Sequence, residues 1–132
     1  MKIDHIGIAV RDIEKSNALF ESLLGTPKYK EEYVVDEAVT TSFFEAGEPK
    51  IELVVSDKED SAIGKFLAKR GEGIHHIAFE VEDIEAKMKE MAEKGFRLLH
   101  DKPKKGADNK WICFLHPKDT NGVLVELCQS IK

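Results

Sequence analysis

Apolar residues alternate with small or polar ones along residues 3–10, and the same alternation returns along residues 74–81. A period of two is the mark of a β-strand with one face against a core. An aspartate follows each run, Asp12 or Asp83, placed to accept from backbone N–H groups at a helix start. The spacing then turns helical. Ile13, Phe20, Leu23 and Leu24 form one apolar stripe, and Ile84, Met88, Met91 and Ala92 form the other. Gly25 and Gly95 supply the helix stops. Three more strand-like segments follow each helix, near residues 28–35, 39–45 and 50–55 in the first case and 97–101, 111–115 and 123–129 in the second.

The two stretches are copies of one another. At an offset of 71, residues 3–14 and 74–85 are identical at Ile3/Ile74, His5/His76, Ile6/Ile77, Val10/Val81, Asp12/Asp83, Ile13/Ile84 and Glu14/Glu85. Ile51-Glu52-Leu53 corresponds to Val125-Glu126-Leu127 at an offset of 74, the three extra residues falling in the turn at 117–122. The pattern predicts an α+β fold of two βαβββ modules in one domain. Module 1 covers about residues 1–56 and module 2 about 74–132. A charged linker at 57–73 carries a short helix near 62–69 with Ile63, Phe66 and Leu67 inward. Neither module has the core to stand alone, so the two sheets are expected to pack edge to edge.

At 132 residues the chain suits a single domain. Twenty basic residues against 25 acidic give a net charge of −5, which argues against a nucleic-acid partner. The two cysteines, Cys113 and Cys128, lie in apolar strand-like runs with no zinc-type spacing, as expected of reduced core thiols in a cytoplasmic protein. Neither a signal peptide nor an apolar run near the ~20 residues of a membrane span is apparent.

Strand alternation also sorts the candidate chemistry. Ile6, Ile8 and Val10 share the face suited to packing under a helix, which leaves Ile3, His5, Gly7 and Ala9 on the other. In the last strand Val123, Val125 and Leu127 face the helix, and Leu124, Glu126 and Cys128 face away. Glu52 points away from Ile51 and Leu53. The repeat puts His76 on the same face as His5, and His75 on the opposite one. Each module thus offers one histidine and one glutamate on its non-helix face. Two imidazoles and two carboxylates suit one divalent ion, Co²⁺, Ni²⁺, Zn²⁺ or Mn²⁺, and leave two positions of an octahedron for substrate oxygens. An isolated inward histidine is usually structural, whereas buried carboxylates are rare. Two repeat-related pairs are hard to ascribe to packing.

Several segments carry a family resemblance: Asp4-His5-Ile6-Gly7-Ile8-Ala9-Val10, Lys50-Ile51-Glu52-Leu53, Asp60-Ser61-Ala62-Ile63-Gly64-Lys65-Phe66-Leu67, Gly73-Ile74-His75-His76-Ile77-Ala78-Phe79-Glu80-Val81, and Phe114-Leu115-His116-Pro117-Lys118-Asp119 continuing through Gly122-Val123-Leu124-Val125-Glu126-Leu127. Over nearly its whole length the chain resembles the methylmalonyl-CoA epimerase branch of the vicinal oxygen chelate superfamily. The resemblance implies metal ligands at His5, Glu52, His76 and Glu126. It implies epimerisation at C2 of an acyl-CoA thioester through a metal-stabilised enolate, and a homodimer as the default assembly. Such chemistry needs a base on each side of the substrate. Glu126 is the first choice and Glu52 a second. The Glu-x-Gly-Val run of such epimerases matches Asp36-Glu37-Ala38-Val39 here, with a shorter carboxylate and no glycine. A lactoylglutathione lyase with the same ligands is the competing enzyme. A metal-free binding protein of the bleomycin-resistance type is a third reading, and a three-ligand iron dioxygenase a fourth. His75 is expected to be structural, His116 to shape a turn, His100 to lie on the surface, and Trp111 to be core or cup wall. Lys102, Lys104, Lys105, Lys110 and Lys118 are expected to be solvated, with coenzyme A phosphates as their functional alternative.

Overall fold

The computed structural model describes residues 1–132. In chain order the elements are β1 (Lys2–Ala9), α1 (Ile13–Leu24), β2 (Lys30–Val34), β3 (Val39–Glu45), β4 (Lys50–Val55), α2 (Ala62–Arg70), β5 (Gly73–Glu80), α3 (Ile84–Glu93), β6 (Lys104–Gly106), β7 (Lys110–Leu115) and β8 (Val125–Ser130). Each half therefore runs βαβββ, with α2 in the joining segment. By contacts the chain forms two compact units. The first is His5–His75, and the second is His76–Lys132 together with Met1–Asp4.

In the first unit the strand order is β2-β3-β4-β1, antiparallel except for the parallel β4–β1 pair. Helix α1 starts where Asp12 accepts from the Lys15 amide at 3.0 Å, and stops at Gly25 in the left-handed conformation. Its inner side packs Ile13, Phe20 and Leu24 against Ile8, Val10, Phe44, Ile51, Leu53 and Val55. Leu23, placed in the stripe by spacing, is instead 69% exposed. The Leu19–Leu23 side of the helix turns outward.

Helix α2 packs against the opposite face. Ile63, Leu67 and Phe66 meet Ala9, Val34, Val39 and Val54. It begins at Ser61, whose hydroxyl accepts from the Gly64 amide at 3.0 Å. A Cβ at Gly64 would run into the Lys58 carbonyl oxygen, so the chain needs glycine there. Arg11 holds the helix to the end of β1, its amide donating to Glu72 at 2.9 Å and its guanidinium to the Leu67 carbonyl at 3.2 Å.

In the second unit the order is β5-β8-β7-β6, with β5 and β8 parallel. Asp83 caps α3, accepting from the Ala86 amide at 3.1 Å. Ile84, Met88 and Met91 pack on Val81, Cys113, Leu115 and Leu127. Residues 97–101, expected as a strand, make only an isolated bridge, Leu98 to Leu115. The edge strand is Lys104–Gly106 instead. The exposed Arg97 forks onto the half-buried Asp119, with Nη2 to Oδ1 at 2.9 Å and Nε to Oδ2 at 3.1 Å, and that side-chain pairing draws the segment toward the 117–119 turn. Hydrogen bonds from Arg97 hold the Asp119 carboxyl down at about 2.

Lys110 is not a solvated lysine. It is 6% exposed, and its ammonium lies 3.2 Å from Asp4 Oδ1, also 6% exposed, and 3.2 Å from Ser130 Oγ. Burial works against its charge, but the Asp4 carboxylate outweighs that with help from neighbouring groups, and the Lys110 pKa is raised above its ordinary 10.5. A raised lysine pKa stabilises the fold fully below the unfolded value and ceases to do so as pH rises through the folded value. Lys110→Met, which strands a buried carboxylate, is expected to cost about 3 kcal/mol in urea unfolding at pH 7. The difference between wild type and variant should narrow above pH 10.5.

Candidate metal centre and its surroundings

The two helix-packed clusters report which way the strands of the first unit face. Ile8, Val10, Leu53 and Val55 lie under α1, whereas Ala9 and Val54 lie on the other side. His5 and Glu52 share the parity of Ala9 and Val54, so both face away from α1. His5 Nε2 is 3.2 Å from Glu52 Oε1, and each residue is 5% exposed.

The second unit repeats the arrangement. Val81, Cys113 and Leu127 face α3, while Ala78, Ile112 and Cys128 face away with Phe114 beside them. His76 and Glu126 follow the parity of Ala78 and Cys128. His76 Nε2 is 3.5 Å from Glu126 Oε1, and both residues are again 5% exposed. Phe114 stands directly across from Glu126 in the ladder and meets the His76 ring edge-on at 6.1 Å. Phe43 stands in the same relation to Glu52. An aromatic ring beside each carboxylate keeps water away from it and makes the neighbouring imidazole its strong partner.

The structure thus joins His5 to Glu52 and His76 to Glu126. The other histidines are elsewhere. His75 packs its ring against Phe66 at 4.9 Å. His116 caps the 117–119 turn, its Nδ1 accepting from the Lys118 amide at 3.1 Å. His100, expected at the surface, is half-buried with its ring 5.9 Å from Phe114. Its segment is pinned there because the Leu99 amide donates to the Phe114 carbonyl at 2.9 Å. Trp111 is 39% exposed on the α3 side of β7, so it is neither core nor part of the glutamate face. The Asp36-Glu37-Ala38-Val39 run forms a 3-10 turn and the start of β3. Asp36 is exposed, and Ala38 takes the left-handed conformation at φ 55°, where a glycine would be unstrained.

Cys113 and Cys128 are buried and form no disulfide. Burial pushes the Cys113 thiol up to about 11. Burial, then the charges of Asp4 and Glu126, push Cys128 higher still. Both stay protonated and non-nucleophilic near neutrality. Sequence reasoning missed the Asp4–Lys110 pair and the Phe114–His100 contact. Alternation back from Phe114 and Ile112 places Lys110 on the inner face and could have found the first. The second depends on a loop contact with no local signal.

Residues 4–114 match the Glyoxalase/Bleomycin resistance protein/Dioxygenase superfamily. The chain is 43% identical to the ethylmalonyl-CoA/methylmalonyl-CoA epimerase of Cereibacter sphaeroides, over 97% of each chain. It is 38% identical to the human mitochondrial methylmalonyl-CoA epimerase, over 98% of this chain and 74% of the human one. A Streptomyces coelicolor methylmalonyl-CoA epimerase, solved with 2-nitronate-propionyl-CoA, superposes with a TM-score of 0.96 at 38% identity, over 100% of this chain and 99% of the other.

His5→Ala removes the imidazole beside a buried carboxylate. It is expected to lower the unfolding free energy by about 2 kcal/mol, whereas Phe66→Leu beside His75 should cost about 1 kcal/mol. Parallel urea titrations at pH 7 measure the contrast.

Proposed function

The chain belongs to the Glyoxalase/Bleomycin resistance protein/Dioxygenase superfamily, and from that membership we propose that it interconverts the two C2 epimers of methylmalonyl-CoA. The observation that carries the reading is likeness, over essentially its whole length, to enzymes that bear this activity in their names. In the reaction the C2 proton leaves and its electron pair delocalises onto the thioester carbonyl oxygen. A proton then returns to the other face of C2.

His5, Glu52, His76 and Glu126 together hold one divalent metal ion in this reading. The donor set supports it. His5, Glu52 and His76 each offer a buried atom of metal-ligating type, and Glu126 is buried beside His76. Two imidazole nitrogens and two carboxylates suit Co²⁺, Ni²⁺, Zn²⁺ or Mn²⁺. When bound, the ion supplies Lewis-acid polarisation of the substrate oxygens. Glu126 exchanges the proton on one face of C2. Its carboxylate has two oxygens, so contact with His76 or an ion leaves a route for proton transfer through the other. Glu52, the second candidate base, is paired with His5 at 3.2 Å and is the weaker candidate for the other face. Phe43 and Phe114 exclude water from the carboxylates and so strengthen the electrostatic interactions there.

The substrate is an acyl-CoA thioester, and Lys104, half-buried on the glutamate face of β6, is suited to meet its anionic portion. We place the enzyme in a reducing cytoplasm on the strength of its two unpaired thiols, and as a homodimer, to be checked by its mass in solution. No helix is long and apolar enough to cross a membrane.

The test is deuterium uptake at C2 of methylmalonyl-CoA in D₂O. Uptake and epimerisation are expected together, to fall at least tenfold after exhaustive chelation, and to return with added Co²⁺. Glu126→Gln is expected to slow epimerisation by about 10²–10⁴-fold. Turnover of a glutathione hemithioacetal in place of methylmalonyl-CoA would overturn the reading in favour of a lyase. Uptake unaffected by chelation would remove the metal from it.

A further inference from the structure

Epimerisation needs a second proton-transfer group, and Asp36 is exposed. The ladder of the first unit offers another carboxylate. Directly opposed residues of antiparallel strands share a face. Lys30, Phe43 and Glu52 stand in one row across β2, β3 and β4, and Glu32, Thr41 and Val54 stand in the next. Glu32 therefore faces the same side of the sheet as Glu52. Its neighbour confirms the direction independently. Glu31 accepts from Asn17 of α1 at 3.1 Å and from Ser42 at 3.1 Å, so Glu31 is turned toward α1 and Glu32 away from it.

We propose that Glu32 is the second proton-transfer group of the epimerase, a proposal that rests on the function assigned above. The position is built as such a role requires. Thr41, only 1% exposed, directs its hydroxyl to the Glu32 carbonyl at 3.4 Å and so ties β2 at this residue. Lys30 Nζ lies 3.4 Å from Glu32 Oε1. The Glu32 side chain is 29% exposed, which leaves it a path to solvent. The corresponding row of the second unit holds Lys104, Ile112 and Cys128, so the repeat has a cation where the first unit has this carboxylate.

Glu32 takes the C2 proton of one epimer, and the C–H electron pair moves onto the thioester carbonyl oxygen. A proton drawn from water returns to the opposite face of C2 as the electrons come back. Glu32 ends protonated. Exchange with water at Glu32, or the reverse reaction, restores the starting state.

Glu32→Gln, Glu32→Asp and wild type are compared in D₂O, following epimerisation and C2 deuterium uptake separately for each epimer, with thermal melting to verify the fold. Glu32→Gln is expected to lose at least 100-fold in epimerisation and to lose uptake for one epimer while keeping it for the other. Glu32→Asp should recover part of the loss. Epimerisation by Glu32→Gln within threefold of wild type overturns the assignment. Equal loss of uptake from both epimers overturns it as well, because it marks a structural role. If wild type exchanges neither epimer, the epimerase reading itself fails, and this assignment fails with it.

Discussion

A carboxylate in an apolar sheet face is the constraint around which this molecule is arranged. Glu52 and Glu126 are each 5% exposed, set among Phe43, Val54, Phe114 and Cys128. Charge in such surroundings is costly unless it is neutralised at close range. Each glutamate has an imidazole at 3.2 or 3.5 Å, carried by the first strand of its own repeat. The pairing works only if that strand lies near the glutamate's strand and in one register. Residues 7 and 52 are partners in the parallel β1–β4 ladder, and residues 78 and 126 are partners in β5–β8. A slip by one residue would turn each histidine to the helix side and leave its glutamate without that neighbour.

The same logic extends to Asp4 and Lys110. The first four residues of the chain group with the second unit, though the rest of β1 belongs to the first. Asp4 meets the buried ammonium of Lys110 there, one residue before His5. A buried ion pair is a weak source of net stability, but it is intolerant of misalignment. Within its own unit the pair fixes the position of Asp4. The residue beside it in sequence is the histidine whose placement matters for the proposed metal centre. The Lys2–Glu80 pair at 3.8 Å is more exposed and adds little.

Much of this was legible before any coordinates. Period-two alternation followed by Asp12 or Asp83 and a helical stripe gave both βα units, and the 71-residue offset aligned His5 with His76. These signals are local, set by side-chain direction and capping. What escaped depended on partners distant in sequence. Residues 97–101 have the composition of a strand, yet Arg97 bonds to Asp119 and Leu99 to Phe114, and the ladder resumes only at Lys104. Leu23 fits the helical period, but with Leu19 it lies on the outer side of α1, away from β3 and β4. Lys110 looked solvated because its neighbours in sequence are polar, while its strand parity, shared with Ile112 and Phe114, decided otherwise.

A duplicated fold tends toward symmetry, and both repeats here keep a paired histidine and glutamate. The repeats preserve the pairs, and they preserve the aromatic residue across from each glutamate, Phe43 and Phe114. They diverge one row further along the ladder, at Thr41 against Ile112 and at Glu32 against Lys104. Charge reversal at equivalent positions would be neutral drift on an outer face. Here both positions lie on the faces that carry the glutamates, and both are half-buried. In the proposed function the carboxylate of Glu32 moves a proton and the ammonium of Lys104 meets negative charge. The fold supplies the scaffold twice, and the chemistry follows from where the two copies differ.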